Sequence, residues 1–186
     1  MQTLISILRA VNMAGHNRIK MSGLADLYGS LGLNDAETFI QSGNVIFNDP
    51  DDRHPPEIEH DIYAGIKERF GLDISIMVRT VREMKEIISN NPFTGDNIDT
   101  SKLAVIFLAE RPSDLQMDKV RNIDYPPDKF SIIGKEIFIY CPNGFGRTRI
   151  YTGFFESKMK VTGTGRNWNS VNTLLEIAER KESVYN

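Results

Sequence analysis

A single cysteine, Cys141, is all the thiol chemistry the chain carries, so no intrachain disulfide can form, which suits a reducing compartment. No apolar run approaches the roughly 20 residues that cross a bilayer. Met1-Gln2-Thr3 leads into a strand-like segment without a basic leader, and the expectation is a cytoplasmic protein with no membrane partner. The three histidines, His16, His54 and His60, have neither the spacing nor the helix phase of metal ligands, so no metal or cofactor is expected. Cys141 precedes Pro142 and no histidine shares its context, which leaves nucleophilic catalysis without support. A net charge of -3 excludes a strongly basic polyanion binder.

What is present is an uneven charge distribution. Residues 1–25 contain Arg9, Arg18 and Lys20 and no acid, a balance of +3. Residues 49–61 hold six acids against Arg53, or -5, and residues 143–170 hold five cations against Glu156, or +4. Two basic ends flank an acidic middle, so any binding of nucleic acid is expected to be weak.

The hydrophobic pattern gives an α+β chain. Thr3 to Arg9 reads as a strand, and Met21, Leu24, Leu27, Tyr28 and Leu31 recur at helical spacing up to Gly32. Glu37–Ile40 and Val45–Phe47 read as strands joined by Gln41-Ser42-Gly43-Asn44, in which glycine and asparagine tolerate the positive φ of a tight turn. Pro55-Pro56 opens a helix that closes at Gly71, and Ile74, Ile76 and Val78 alternate as a further strand. The order βαββαβ over residues 1–80 is the split βαβ arrangement of ferredoxin-like domains. Residues 81–101 form a connecting helix, opened by a Thr80/Glu83 capping box, and a polar loop.

Over residues 102–186 a second α+β subdomain begins with strand Leu103–Leu108, a Ser113/Gln116 capping box and a hairpin turning at Gly134-Lys135. A helix over residues 147–159 and a terminal helix from about Asn167 to Lys181 complete it. The repeated βαββ order suggests a diverged copy of the first half.

Three polar segments are candidates for ligand contact. Gly163-Thr164-Gly165-Arg166-Asn167 reads as a flexible loop before the last helix, where free N–H groups and the helix dipole favour an anion, although this segment taken alone fits Asn167 as a simple cap better. A third glycine of the dinucleotide fingerprint is missing, because Trp168 occupies its place. Gly144-Phe145-Gly146-Arg147-Thr148-Arg149 repeats the same pattern of glycines followed by arginine. Arg9 to Lys20 joins the first strand to the first helix with long donors that suit a carboxylate or phosphate, while Asn12 and Asn17 also suit Asx turns.

The motifs Leu8-Arg9-Ala10-Val11-Asn12, Asn17-Arg18-Ile19-Lys20-Met21, Ile40-Gln41-Ser42-Gly43-Asn44-Val45, Asn91-Pro92-Phe93 and Arg166-Asn167-Trp168-Asn169-Ser170-Val171 together resemble the bacterial family catalogued as domain of unknown function 1697. The resemblance implies an α+β protein of unassigned activity and brings no substrate, cofactor or catalytic role. Its matching positions are mostly polar or glycine, which points to a shared binding surface. The candidate ligand-binding residues are Arg9, Asn12, Asn17, Lys20, Gln41, Ser42, Asn44, Arg147, Arg166, Asn167 and Trp168. The expectation is a small phosphate-bearing or anionic ligand, nucleotide-like or a short single strand, held in a polar cleft between the two halves. The alternatives are a hydrolase or transferase with Glu37 or Glu156 as base, and an interaction module without a small ligand.

Overall fold

The computed structural model describes every residue except Ala14, Asp96, Tyr185 and Asn186. The chain divides into two compact units, Met1–Glu86 with Thr173–Asn186, and Ile87–Asn172.

In the first unit β1 (Gln2–Leu8), α1 (Met21–Ser30), β2 (Asn34–Phe39), β3 (Asn44–Asp49), α2 (Pro55–Phe70) and β4 (Ile76–Thr80) build an antiparallel sheet of order β2-β3-β1-β4. The period-2 alternation of β1 sends Leu4 and Leu8 to one face, where they meet Val45 and Phe47 of β3 and the buried stripes of α1 and α2. Ser6 shares that face, and its hydroxyl sits 2.6 Å from the Tyr28 hydroxyl, so this buried polar pair is mutually satisfied. Burial pushes the Tyr28 phenol well above its ordinary value, with the Ser6 bond opposing it weakly.

α3 (Val81–Ser89) opens with the expected box, Thr80 Oγ1 accepting from Glu83 N at 3.1 Å and Glu83 Oε2 from Thr80 N at 2.8 Å.

The second unit repeats the topology. β5 (Leu103–Leu108), α4 (Asp114–Arg121), β6 (Lys129–Ile133), β7 (Glu136–Tyr140), α5 (Thr152–Met159) and β8 (Gly163–Asn167) form a sheet of order β6-β7-β5-β8. Backbone bonds at matching positions repeat too. Leu8 N donates to Gly43 O at 2.8 Å and Leu108 N to Lys135 O at 2.8 Å, while Arg9 N donates to Ser75 O and Ala109 N to Thr162 O, each at 2.9 Å. Both halves are therefore ferredoxin-like βαββαβ units. A C-terminal helix, α6 (Trp168–Ser183), follows β8.

The last turn of α6 belongs to the first unit and lies along β2. Lys181 Nζ donates to the Asp35 carbonyl at 2.8 Å, and Arg180 and Lys181 each stand 3.7 Å from the Glu37 carboxylate. Among the described residues no helix is long and apolar enough to cross a membrane.

Three local readings are corrected. Gly163 to Arg166 is not a loop but most of β8, paired with β5 from Leu108↔Gly163 to Ala104↔Asn167. Its glycines obscure the strand, yet a Cβ at Gly163 would stand 2.9 Å from Ile106 Cγ2, so close approach of the strands requires the missing side chain. The expected helix over residues 147–159 starts later, at Thr152, after a 3-10 turn at Phe145–Arg147. In the first hairpin Ile40 leaves the strand with φ 50° while Asn44 joins β3, so Ile40 and Gly43 supply the positive φ values.

Candidate functional site

Among the described residues, four of the seven non-glycine residues with positive φ lie in two adjoining segments of the first unit: Ala10, Asn12 and Asn17 between β1 and α1, and Ile40 after β2. Asparagine visits this region readily, but alanine pays a steric penalty there and β-branched isoleucine a larger one. Each such residue costs on the order of 1–3 kcal/mol, which persists only where surrounding contacts fix the backbone.

Those contacts are visible. Asn12 Nδ2 donates to Ile19 O at 2.9 Å and to Gln41 O at 3.1 Å, and Asn12 Oδ1 accepts from Ile19 N at 2.9 Å. Asn17 Nδ2 donates to Ala10 O at 3.1 Å. Buried Asn44 donates to Phe39 O at 3.1 Å and Ser42 Oγ at 3.0 Å, which braces the hairpin turn. Asn12, Asn17, Ser42 and Asn44 therefore hold loop geometry with the very amide and hydroxyl groups that sequence reading offered to a ligand.

The braced loops enclose a recess of about 780 Å³ lined by Asn12, Gly15, Arg18, Ile19, Lys20, Met21 and Gln41. It brings together three sequence candidates, Asn12, Lys20 and Gln41. Arg18, Lys20 and Gln41 are exposed, and among the described residues the lining contains two cations and no carboxylate. Lys20 is also the N-cap residue of α1, which has neither a side-chain cap nor an acid in its first turn. Arg18 was missing from the candidates, although the acid-free count over residues 1–25 already included its charge.

The matching connection of the second unit shows what is special here. Between β5 and α4 the chain needs only residues 109–113, capped by the reciprocal Ser113/Gln116 box, and no non-glycine residue in it has positive φ. Arg9 to Lys20 is more than twice as long.

Other candidates lie elsewhere. Arg9 is exposed beyond β1, outside the recess lining. Arg147 lines a separate recess of about 420 Å³ in the second unit with Arg149, Asp124 and Asp128. Arg166 is buried, and its Nη1 donates to Thr164 Oγ1 at 3.0 Å and to Gly165 O at 2.8 Å; burial draws its guanidinium down to about 10. Asn167 Oδ1 accepts from Ser170 N at 2.8 Å, which is the capping role, and Trp168 is a half-buried first residue of α6.

The two proposed bases are engaged structurally. Glu37 faces Arg180 and Lys181, and Glu156 Oε1 accepts from Gly163 N at 2.9 Å. Cys141 is buried, and that burial pushes its thiol up, away from a reactive thiolate. No group of three or more His, Cys, Asp or Glu suited to a metal occurs among the described residues.

Fold and site together define a duplicated ferredoxin-like α+β protein with one elaborated, strained loop. The chain belongs to the family described as Protein of unknown function (DUF1697), whose model matches residues 1–138. Among solved structures it is similar to the conserved bacterial protein SP0830 from Streptococcus pneumoniae, with 16% identity and a TM-score of 0.76 over 95% of this chain and 98% of that one. That likeness shows a shared fold. No curated protein matches the chain.

Proposed function

We propose that the first unit binds a small phosphate-bearing anion in the recess between the β1–α1 connection and the β2–β3 turn. The observation that carries this reading is the recess itself, whose lining offers Arg18 and Lys20 with no acid. Arg18 supplies a planar fork suited to paired phosphate oxygens, and Lys20 a compact charge beside it. Gln41 adds a neutral amide that both donates and accepts. Asn12 and Asn17 act one step back, fixing the loop so that the cations need little reordering when the ligand arrives.

Support also comes from the cost of the arrangement. A left-handed alanine stands in the β1–α1 connection and a left-handed isoleucine at the β2–β3 turn, whereas the β5–α4 connection and the β6–β7 turn of the other unit have no non-glycine residue with positive φ.

The test is thermal stabilisation by inorganic phosphate, mononucleotides and a short single-stranded oligonucleotide. The double variant Arg18→Ala/Lys20→Ala is expected to keep its unliganded melting temperature, because both side chains are exposed, and to weaken binding at least tenfold, since each charge-assisted contact contributes about 1.5–3 kcal/mol. A saturating ligand at 100 times its Kd stabilises by about 2.7 kcal/mol, a readily measured rise. Equal stabilisation of variant and parent would refute the assignment.

A second reading, a self-braced interaction module, draws on the internal bonding of Asn12, Asn17 and Asn44. Absence of any ligand shift in the parent protein would favour it.

A further inference from the structure

The second unit contains a smaller recess of different chemistry. It lies where helical cover of the sheet runs out: α5 begins only at Thr152, and residues 145–151 pass over the sheet in its place. Ala104 and Ile106 of β5, Ile139 of β7 and bare Gly165 of β8 form the floor, adjacent in register as Ala104↔Ile139 and Ile106↔Gly165. Phe145 and Tyr151 line it while remaining 39% and 60% exposed. A Cβ at Gly165 would stand 3.2 Å from Thr152 Oγ1 and 3.9 Å from Ile106 Cγ1, so the missing side chain opens the space.

We infer that this recess takes one planar heteroaromatic ring of the nucleobase class. Size limits the occupant. Its volume is about 190 Å³, whereas an apolar cavity of about 150 Å³ already accepts benzene, so a single or fused ring fits and a whole nucleotide does not. Two exposed aromatic side chains offer π-faces, and stacking on such faces tolerates any base.

The rim decides against a purely aliphatic occupant. Thr152 and Asn167 both line the recess, and the Thr152 hydroxyl and the Asn167 amide nitrogen have no hydrogen-bond partner among the described residues, which matches a ring edge that carries acceptors. Among the described residues no carboxylate lines it, and the segment 143–170, which supplies most of the lining, carries +4, which suits a ring attached to an anionic tail.

The recess lies wholly in the second unit, so it stands or falls independently of the phosphate site. The probes are adenosine, guanosine, cytidine and uridine, which lack phosphate, titrated into the full chain labelled with ¹⁵N. Shifts confined to the amides of residues 145–152 and 165–167 are expected. Gly165→Val fills the space on a strand where valine is well tolerated, and should abolish those shifts. Phe145→Ala, at a partly exposed position, should weaken binding by about 5- to 150-fold, the range of one lost base stack. If Gly165→Val fails to fold, Phe145→Ala decides the question alone. No shift with any nucleoside, shifts elsewhere only, or unchanged binding by Phe145→Ala overturns the inference.

Discussion

Replacing Arg53 by alanine is expected to lower the stability of the first unit by about 3–5 kcal/mol, measured by chemical denaturation, because it strands a buried carboxylate. Asp49 ends β3 with a side chain that is 0% exposed. Its carboxylate accepts from Arg53 N at 2.6 Å, Nε at 3.0 Å and Nη2 at 2.8 Å, while Arg53 Nη1 reaches Asp61 at 3.2 Å. Burial on its own would raise the Asp49 carboxyl, but hydrogen bonds and charge from Arg53 outweigh it and hold the group below the ordinary carboxylate range.

The acid dependence should be weaker in the variant than in the parent. In the parent the folded pKa lies below the unfolded value of about 3.9, so the contribution of Asp49 is present above that value and lost as pH falls through the depressed one. In the variant the backbone N–H groups of residues 51 and 53 still donate to Asp49, but the side-chain bonds and charge of Arg53 are lost, so burial, the largest single influence, raises the carboxyl above its parent position. Mild acidification should then cost Arg53→Ala less stability than it costs the parent. Parallel pH profiles for the two proteins would show that Arg53 is not what holds Asp49 ionised.

Gly43→Ala should cost about 2–5 kcal/mol and also weaken the proposed phosphate binding. The glycine has φ 75°, where alanine loses about 1–2 kcal/mol, and a built Cβ stands 2.9 Å from both Leu8 Cβ and Val11 Cβ. Those neighbours are the first atoms of side chains in the buried core, so relief requires backbone movement, adding an overpacking cost of about 1–3 kcal/mol. Gly43 O also accepts from Leu8 N at 2.8 Å, and a displaced turn would carry Gln41 away from the recess. Gly29→Ala is the control, since nothing lies within 4 Å of that Cβ in a helix with ordinary φ. It should stabilise by about 0.5–1 kcal/mol. Equal effects of the two substitutions would mean that the turn geometry is not as described.

Periodicity and capping chemistry made most of the fold legible. The helix from Pro55 to Phe70, the strand Leu103–Leu108 and the Ser113 capping box are local patterns that the structure repeats almost residue for residue. β8 was hidden because glycines at 163 and 165 carry no strand preference, and its pairing with β5 is a long-range fact. The duplication was visible as element order alone, since the conserved features are backbone bonds such as those of Leu8 and Leu108, which leave no trace in side-chain identity.

The candidate site was legible as composition but not as roles. Polar density around residues 9–20 pointed to the loop that lines the recess. Which asparagines face inward depends on torsions such as φ 53° at Asn12 and on partners as remote as Gln41. Arg166 illustrates the opposite error: a cation that looks available in a glycine-rich segment is buried once that segment becomes a strand.

The last turn of α6 has a further consequence for solubility. β2 is an outer strand of its sheet, and such strands carry unpaired amides and carbonyls that can template addition of another polypeptide. Lys181 occupies the Asp35 carbonyl, and with Arg180 it lays two cations along the same margin. The end of the helix thereby guards that border against open-ended polymerisation, an office distinct from any ligand chemistry and one that a cut before Arg180 would remove.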